Sequence, residues 1–330
     1  MSPTQLRVSL KTSLDTPLGV NLDPTDLYLY NTDTSDYTPF VKILLPGQHV
    51  EGETMIEVVN QTVTIDDQDE LIKFFTDVFV QPSVKLSVKA DPKVHLGALN
   101  YQPKIDKTLE LPALNFLEGF GVTEMEFKLS ANNTGPNMIG KVNLPNSGAL
   151  TLGLGNLTLN VMAGDIRLGF LTVYDTLLTP GDNVRDFDGE FFFKELVPNL
   201  SELLATQQGA LGEGNIELNA TGNATVVNGE RIQYVEKVLQ GKELTFHIPI
   251  LTLLGNVLSG LLEGGDTGSL LGVFGEVFGN ATLFEHIIDR WDSSVPNNAT
   301  AGNVHAKLKR SSPKASLALS MLKLGMRSSK

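Results

Sequence analysis

Short runs of alternating apolar and polar residues, separated by turn-forming residues, fill most of the first 250 positions of this 330-residue chain. Alternation with a period of two gives a strand one face for a core and one face for solvent. Pairs such as Asp23-Pro24 and Pro46-Gly47 break these runs. We therefore expect a mainly β fold, with strands at 6–14, 27–30, 41–45, 55–65, 84–90, 94–100, 104–114, 149–161, 166–178, 215–227, 231–239 and 242–250.

Two segments change to the period of an amphipathic helix. The first carries apolar residues at the spacing of one helix face, Leu71, Phe74, Phe75 and Val78. Acidic residues at 66, 67, 69 and 70 precede this face, where the positive end of a helix dipole favours negative charge. The second segment repeats the pattern with four leucines, Leu196, Leu200, Leu203 and Leu204.

The same order of strands and helix occurs twice along the chain. Pro46-Gly47 aligns with Pro180-Gly181 at an offset of 134 residues. The run 84–94 aligns with 216–226 at an offset of 132, and one loop absorbs the difference. We infer two copies of one module, an antiparallel β-sandwich with a single helix, over residues 1–118 and 119–250.

The chain changes character after residue 250. Residues 251–292 are amphipathic and rich in glycine, and we expect short helical segments there. These segments either pack on the core of the second module or bind a membrane or a protein partner. Hydrophobic periodicity alone does not distinguish these two roles. Residues 293–330 are predicted to form a flexible basic tail.

Charge is distributed unevenly along the chain. Residues 301–330 hold seven basic side chains and no acidic one, whereas residues 1–300 hold 18 basic and 38 acidic side chains. An acidic body argues against a nucleic-acid partner, because such proteins neutralise phosphates with clustered Lys and Arg. The chain has no Cys, which excludes disulfides and thiolate metal sites.

Eight Asn residues stand in the Asn-X-Ser/Thr pattern that accepts N-linked glycans, where chance predicts about three. They are Asn60, Asn132, Asn156, Asn199, Asn219, Asn223, Asn280 and Asn298. The excess indicates a lumenal or extracellular location, although these tripeptides are also common in turns and at strand edges. The first residues lack the apolar core of a signal peptide, and the uncharged stretch 248–262 is too short for a bilayer span. We expect that an amino-terminal anchor is missing; the alternative is a cytoplasmic protein.

No constellation of catalytic residues stands out. The chain has no G-x-S-x-G elbow, no Walker loop and no H-E-x-x-H motif. Glu285, His286 and Asp289 share one side of a predicted helix, but no further strong ligand accompanies them, so a solvated face is favoured. The acidic run 186–190 lacks the spacing of a calcium loop and is predicted to be the outward face of a strand. We expect no enzyme, no metal site and no cofactor.

Segments in both halves of the chain resemble known families. In the first half these are TPLGVNLDPTDLYLY, LPGQHVEGET and VHLGALNY. In the second half they are LPNSGALTLGLGNLTLNVMAGDIRLGFLTVYDTLLTPGDN and IELNATGNATVVNGERIQYVEKVL. The second module resembles the LEA-2 (water stress and hypersensitive response) domain. Residues 5–250 more closely resemble a fungal family of membrane-anchored proteins of unknown function, of the DUF3712 type.

This resemblance implies two tandem immunoglobulin-like, LEA-2-like β-sandwich modules on the lumenal (vacuolar) or external side of a membrane. It also implies a single transmembrane helix before them and a groove for lipid between helix and sheet. The side chains that would line such a groove are Leu71, Phe74, Phe75, Val78, Phe79, Leu196, Leu200, Leu203 and Leu204. The same side chains would equally serve as core, because a helix on a sheet needs an apolar face whatever its function.

The expected function is that of a non-enzymatic, membrane-associated protein that binds or shuttles membrane lipid in an apolar groove. The alternative is a structural or adaptor module that binds proteins through its acidic sheet faces and residues 251–292. Neither hypothesis involves nucleic acid.

Overall fold

The computed structural model describes residues 2–34, 37–127, 135–192 and 215–249, together with the single positions 195, 199, 207, 210 and 213. Within these residues the fold is mainly β, as predicted, and all strand pairs are antiparallel. The elements in chain order are β1 Gln5–Leu22, β2 Thr25–Asn31, β3 Pro39–Leu45, β4 Gln48–Thr64, α1 Gln68–Val80, β5 Ser83–Ala90, β6 Val94–Leu96, β7 Leu99–Tyr101, β8 Ile105–Pro112, a 3-10 turn at Asn115–Leu117, β9 Gly121–Phe127, β10 Met138–Asn143, β11 Leu152–Ala163, β12 Ile166–Leu178, β13 Val184–Phe191, β14 Asn215–Val227, β15 Glu230–Arg231, α2 Gln233–Gln240 and β16 Glu243–Pro249.

The described strands form three sheets. The first has the strand order β4-β1-β6-β7 and the second the order β3-β2-β5-β8, so the first half of the chain builds two four-stranded sheets. The third sheet has the order β15-β14-β11-β12-β13-β10-β9, and β16 also pairs with β14. The strands of the second half therefore lie in one eight-stranded sheet.

α1 begins where its sequence supplies a cap. The carboxylate of Asp67 accepts hydrogen bonds of 3.0 Å from the backbone N–H groups of Asp69 and Glu70, which have no partner inside the helix. The acidic residues thus occupy the first turn, as predicted. The helix stops before Pro82, which disfavours helical backbone at the preceding residue.

The third sheet buries one face and presents the other to solvent. In β13 the buried residues alternate with the others, so Asp186 and Glu190 lie on the exposed face, as predicted. On the buried side, β9, β10 and β13 approach closely at Gly140. A Cβ atom there would lie 2.1 Å from the carbonyl oxygen of Glu124, so only glycine fits.

One apolar core joins the two halves of the chain. It contains side chains of β3, α1 and the 3-10 turn together with side chains of β10 to β14, α2 and β16. α1 also contacts α2 directly. The predicted boundary between residues 118 and 119 therefore crosses a shared core, and the division into two modules stays a prediction.

Two predictions of local structure are wrong. The run 94–100 is not one strand but a hairpin, because Gly97 takes a φ of 59° and turns the chain between β6 and β7. The run 231–239 was expected to be a strand, and the structure places α2 there. Tyr234, Val235, Val238 and Leu239 are all buried, and this spacing fits one face of a helix rather than alternation along a strand.

The predicted amphipathic segments at 251–292 and the predicted tail at 293–330 lie outside the described residues. Within the part of the chain that the structure describes, no helix has the length and apolar character to cross a membrane.

Candidate functional site

The apolar face of α1 is enclosed by protein. Leu71 and Val78 are each 1% exposed, and Phe74 and Phe79 are each 6% exposed. Phe74 stacks on Phe40 of β3, with 5.1 Å between the ring centroids. These four predicted groove residues therefore fill the space between α1 and its neighbours, as core side chains do.

The remaining candidate on α1, Phe75, lies at the contact between the two helices. Its ring stacks on Tyr234 of α2 at 6.1 Å, with an angle of 9° between the ring planes. Tyr234 is fully buried, and burial raises the pKa of its hydroxyl. That hydroxyl has no hydrogen-bond partner among the described residues, so Tyr234 is held by the packing of its ring.

A small cavity remains where α1 meets the third sheet. Its volume is about 20 Å³, and it is bordered by Phe79, Phe116, Leu117, Leu159, Ala220, Gly222, Val238, Leu239, Lys242 and Leu244. This is room for about one water molecule. Pockets for small ligands have volumes of roughly 300–1,000 Å³, so an acyl chain does not fit in this cavity.

Several candidates from the sequence lie outside the described residues. The second predicted helix face belongs to this group, with Leu196, Leu200, Leu203 and Leu204. Lipid binding at these leucines stays a prediction. Glu285, His286 and Asp289 also lie outside, and the described residues contain no cluster of three or more His, Cys, Asp or Glu that would hold a metal ion.

Five of the eight predicted glycosylation sites are described. Asn60 is exposed in β4 and Asn199 is partly exposed, whereas Asn156, Asn219 and Asn223 are partly exposed on the outer face of the third sheet. The Nδ2 atoms of Asn219 and Asn223, where a glycan would attach, each donate a hydrogen bond of 2.9 Å to a neighbouring side chain. A glycan at either position would replace that bond. The other three sites, Asn132, Asn280 and Asn298, lie outside the described residues.

Carboxylates of β9 and β13 converge on the outer face of the third sheet, on both sides of β10. The register places Glu124 and Asp186 opposite Lys141, and Glu126 and Asp188 opposite Ile139. Together with Glu190, two residues further along β13, they form a surface that we name the acidic face: Glu124, Glu126, Asp186, Asp188 and Glu190. Because β10 lies between β9 and β13, both rows of carboxylates border one basic side chain among the described residues, that of Lys141.

The acidic face has a net negative charge even though Lys141 lies within it. The ammonium of Lys141 lies 2.9 Å from a carboxylate oxygen of Glu124, and this hydrogen bond raises the pKa of Lys141. Tyr174 of β12 donates a hydrogen bond of 2.9 Å to Asp188, which raises the pKa of the tyrosine hydroxyl. Five carboxylates against one ammonium leave four negative charges on this face, and Glu124, Glu126 and Asp186 border a shallow, open depression of about 640 Å³.

Two other polar clusters of the described residues are held together by internal contacts. The buried carboxylate of Glu236 accepts a hydrogen bond of 3.0 Å from the backbone N–H of Thr225 and two bonds of 2.9 Å from Arg231. This arrangement ties the start of α2 to β14. A buried carboxylate held by three donors in this way has a structural role.

A second internal cluster holds the ammonium of Lys89 between two aromatic rings. The nitrogen lies 3.8 Å from the ring centroid of Tyr37, 4.8 Å from that of Tyr30 and 3.6 Å from a carboxylate oxygen of Asp106. Tyr30 also donates to Asp106 at 2.7 Å, and burial, followed by this bond, raises the pKa of Tyr30 to about 12. The cation between the two rings is the protein's own Lys89 rather than a ligand. The cluster therefore has a structural role and links β2, β5 and β8.

The acidic face was not among the sites predicted from sequence. Part of this face is visible in the sequence of β13, where the acidic residues of 186–190 alternate with residues that are buried. The pairing of β10 between β9 and β13 is not visible in the sequence, because β9 ends at Phe127 and β13 begins only at Val184. Only the fold brings the two rows of carboxylates together.

Residues 38–161 match a family described as "Protein of unknown function (DUF3712)". The matched range begins just before β3, includes α1 and ends in β11, so it contains the helix face discussed above and crosses the predicted module boundary. Over this range the chain is therefore similar to a family of unknown function. No curated protein matches the chain.

Proposed function

We propose that the protein is a non-enzymatic interaction module that binds a basic segment of a partner protein on its acidic face. The observation that carries this proposal is the convergence of five carboxylates from β9 and β13 around a single lysine on the outer side of the third sheet. A surface with four net negative charges attracts Lys and Arg side chains and repels phosphate groups. The adaptor hypothesis is therefore favoured over the lipid-groove hypothesis, whose candidates on α1 lie in the core.

Apolar groups beside the carboxylates would add contact area to such a complex. Tyr174 is 51% exposed and is oriented by its bond to Asp188, and Ile139 lies between the carboxylates of Glu126 and Asp188. Oriented tyrosines contribute strongly to protein interfaces because they bury a large area at low conformational cost. A partner segment with both basic and aromatic residues suits this surface best.

The location of the protein is part of the same proposal. The excess of Asn-X-Ser/Thr sites supports a lumenal or extracellular glycoprotein beside a membrane, in the vacuole or at the cell surface of a fungus. Three of these sites lie on the Asn- and Thr-rich part of the third sheet, on β11 and β14. Glycans there would leave the acidic face open, because β12 separates β11 from β13.

Charge reversal at matched positions tests the acidic face. The double variant Glu126→Lys, Asp186→Lys changes the face, and the control Glu53→Lys, Glu57→Lys makes the same change of net charge on exposed positions of β4. Binding of a fluorescent peptide that contains lysine and tyrosine is measured by anisotropy on the full chain. We expect the first variant to lose about tenfold or more in affinity and the control to change little. Equal losses in the two variants would show only non-specific attraction and would contradict the proposal.

A further inference from the structure

The β6–β7 hairpin carries an apolar face that the described residues leave exposed. The pairs Val94–Tyr101 and Leu96–Leu99 lie on one side of the hairpin, and the pair His95–Asn100 lies on the other. We name the first side the hairpin face: Val94, Leu96, Leu99 and Tyr101. Leu96, Leu99 and Tyr101 are 38%, 69% and 70% exposed.

The hairpin face continues a buried row of the first sheet. Val20 of β1 lies opposite Val50 of β4, and the register of β1 with β6 places Leu96 next to Val20. Exposure along this row rises from 0% at Val50 and 9% at Val20 to 38% at Leu96 and 69% at Leu99. The apolar side of the sheet therefore extends beyond its own core into solvent.

The opposite side of the hairpin contacts Asp23, the residue that follows β1. His95 lies 3.0 Å from a carboxylate oxygen of Asp23 and 2.6 Å from the side-chain oxygen of Asn100. The backbone N–H of Asp23 also donates to the carbonyl of Lys93. These contacts hold the hairpin face in a defined orientation, so its apolar side chains are presented on a rigid element.

The hairpin segment itself differs in charge from the rest of the body, although Asp23 contacts His95 and although Asp91 and Asp106 flank the segment. From Pro92 to Ile105 the chain has no acidic residue, while Lys93 and Lys104 are both exposed. Residues 1–300 as a whole hold 18 basic against 38 acidic side chains. Two leucines and a tyrosine flanked by lysines have the composition of segments that lie in the interface of an anionic bilayer, with the tyrosine at headgroup level.

We propose that the hairpin face docks on an anionic membrane surface, with Leu96, Leu99 and Tyr101 in the interfacial region and Lys93 and Lys104 against the lipid headgroups. A second copy of the chain suits this face less well. Two hairpins would bring like-charged lysines together, and β7 offers only three residues for strand pairing. The acidic bodies would also repel each other. This proposal does not depend on the acidic face.

A single label shows whether the hairpin enters a membrane. Because the chain has no cysteine, Leu99→Cys and the control Val184→Cys each accept one environment-sensitive fluorophore on the full chain, and both parent residues are more than half exposed. Vesicles contain phosphatidylcholine alone or phosphatidylcholine and phosphatidylserine in a two-to-one ratio. We expect a blue shift at position 99 with the anionic vesicles only, and no shift at position 184.

Three results would overturn the proposal. The first is an unchanged label at position 99, whether the protein floats with the vesicles or not. The second is a shift of the same size at both labelled positions. The third is a shift at position 99 that depends on protein concentration without vesicles, because it would indicate contact between copies of the chain.

Lysine variants test the electrostatic part of the proposal. Each lysine near an anionic surface strengthens binding about fivefold, so Lys93→Gln, Lys104→Gln is expected to weaken vesicle partitioning roughly 30-fold. The control Lys42→Gln, Lys85→Gln removes two exposed lysines from the second sheet and should leave the blue shift at position 99 unchanged. Equal effects of the two pairs would contradict docking through the hairpin.

Discussion

The substitution Phe74→Ala tests whether Phe74 of α1 belongs to the core or lines a lipid groove. Phe74 is 6% exposed and stacks on Phe40 at 5.1 Å. A buried phenylalanine removes roughly 200 Å² from water, which at about 25 cal/mol/Å² corresponds to about 5 kcal/mol for the whole side chain. Alanine keeps part of this area, so we expect the free energy of unfolding to fall by about 3–4 kcal/mol.

Urea unfolding followed by far-ultraviolet circular dichroism measures this loss. The control is Leu99→Ala, whose parent side chain is 69% exposed and should change the stability by about 0.5 kcal/mol or less. If Phe74 lined a lipid groove, its removal would cost less than about 1 kcal/mol and would reduce co-purified lipid. That combination would refute the assignment of the α1 face to the core.

Three further predictions concern single positions. Asp67→Ala removes the cap of α1 and should cost about 1 kcal/mol in the same unfolding assay. Gly140→Ala places a methyl group against a backbone carbonyl of the adjacent strand and should cost about 2–3 kcal/mol, whereas Gly121→Ala, with open space at its Cβ, should cost much less. The hydrogen bond to Asp23 raises the pKa of His95 above 6.5, so this bond stabilises the fold fully below about pH 6.5 and is lost as the pH rises through the raised pKa. Titration of the His95 ring by nuclear magnetic resonance checks this, and Asp23→Asn should lower the midpoint.

The sequence predicted those strands and helices in which the apolar residues follow only one period, either that of a strand or that of a helix. β12 and β14 begin and end where their alternating runs do, and α1 follows the spacing of Leu71, Phe74 and Val78 after an acidic first turn. In α2 two periodicities compete. Tyr234 and Val238 fit both an alternating strand and a helix, and only the burial of their neighbours in the shared core decides for the helix.

The functional surfaces were harder to predict because they depend on contacts between distant segments. The acidic face requires β10 to pair between β9 and β13, and alternation along each strand contains no information about its neighbours. The hairpin face requires a turn at Gly97 inside a run that reads as one strand. The apolar face of α1 was visible in the sequence, but its enclosure depends on α2 and on the third sheet.

Site-specific crosslinking tests the central claim most directly. Ile139→Cys places a photo-crosslinker between the carboxylates of β9 and β13, and Val59→Cys places the same group on an exposed position of β4. Both labelled proteins are illuminated with the peptide that contains lysine and tyrosine, and the crosslinked products are identified by mass spectrometry. We expect crosslinking at position 139 that Glu126→Lys, Asp186→Lys abolishes, with little product at position 59. Equal crosslinking at the two positions would contradict it.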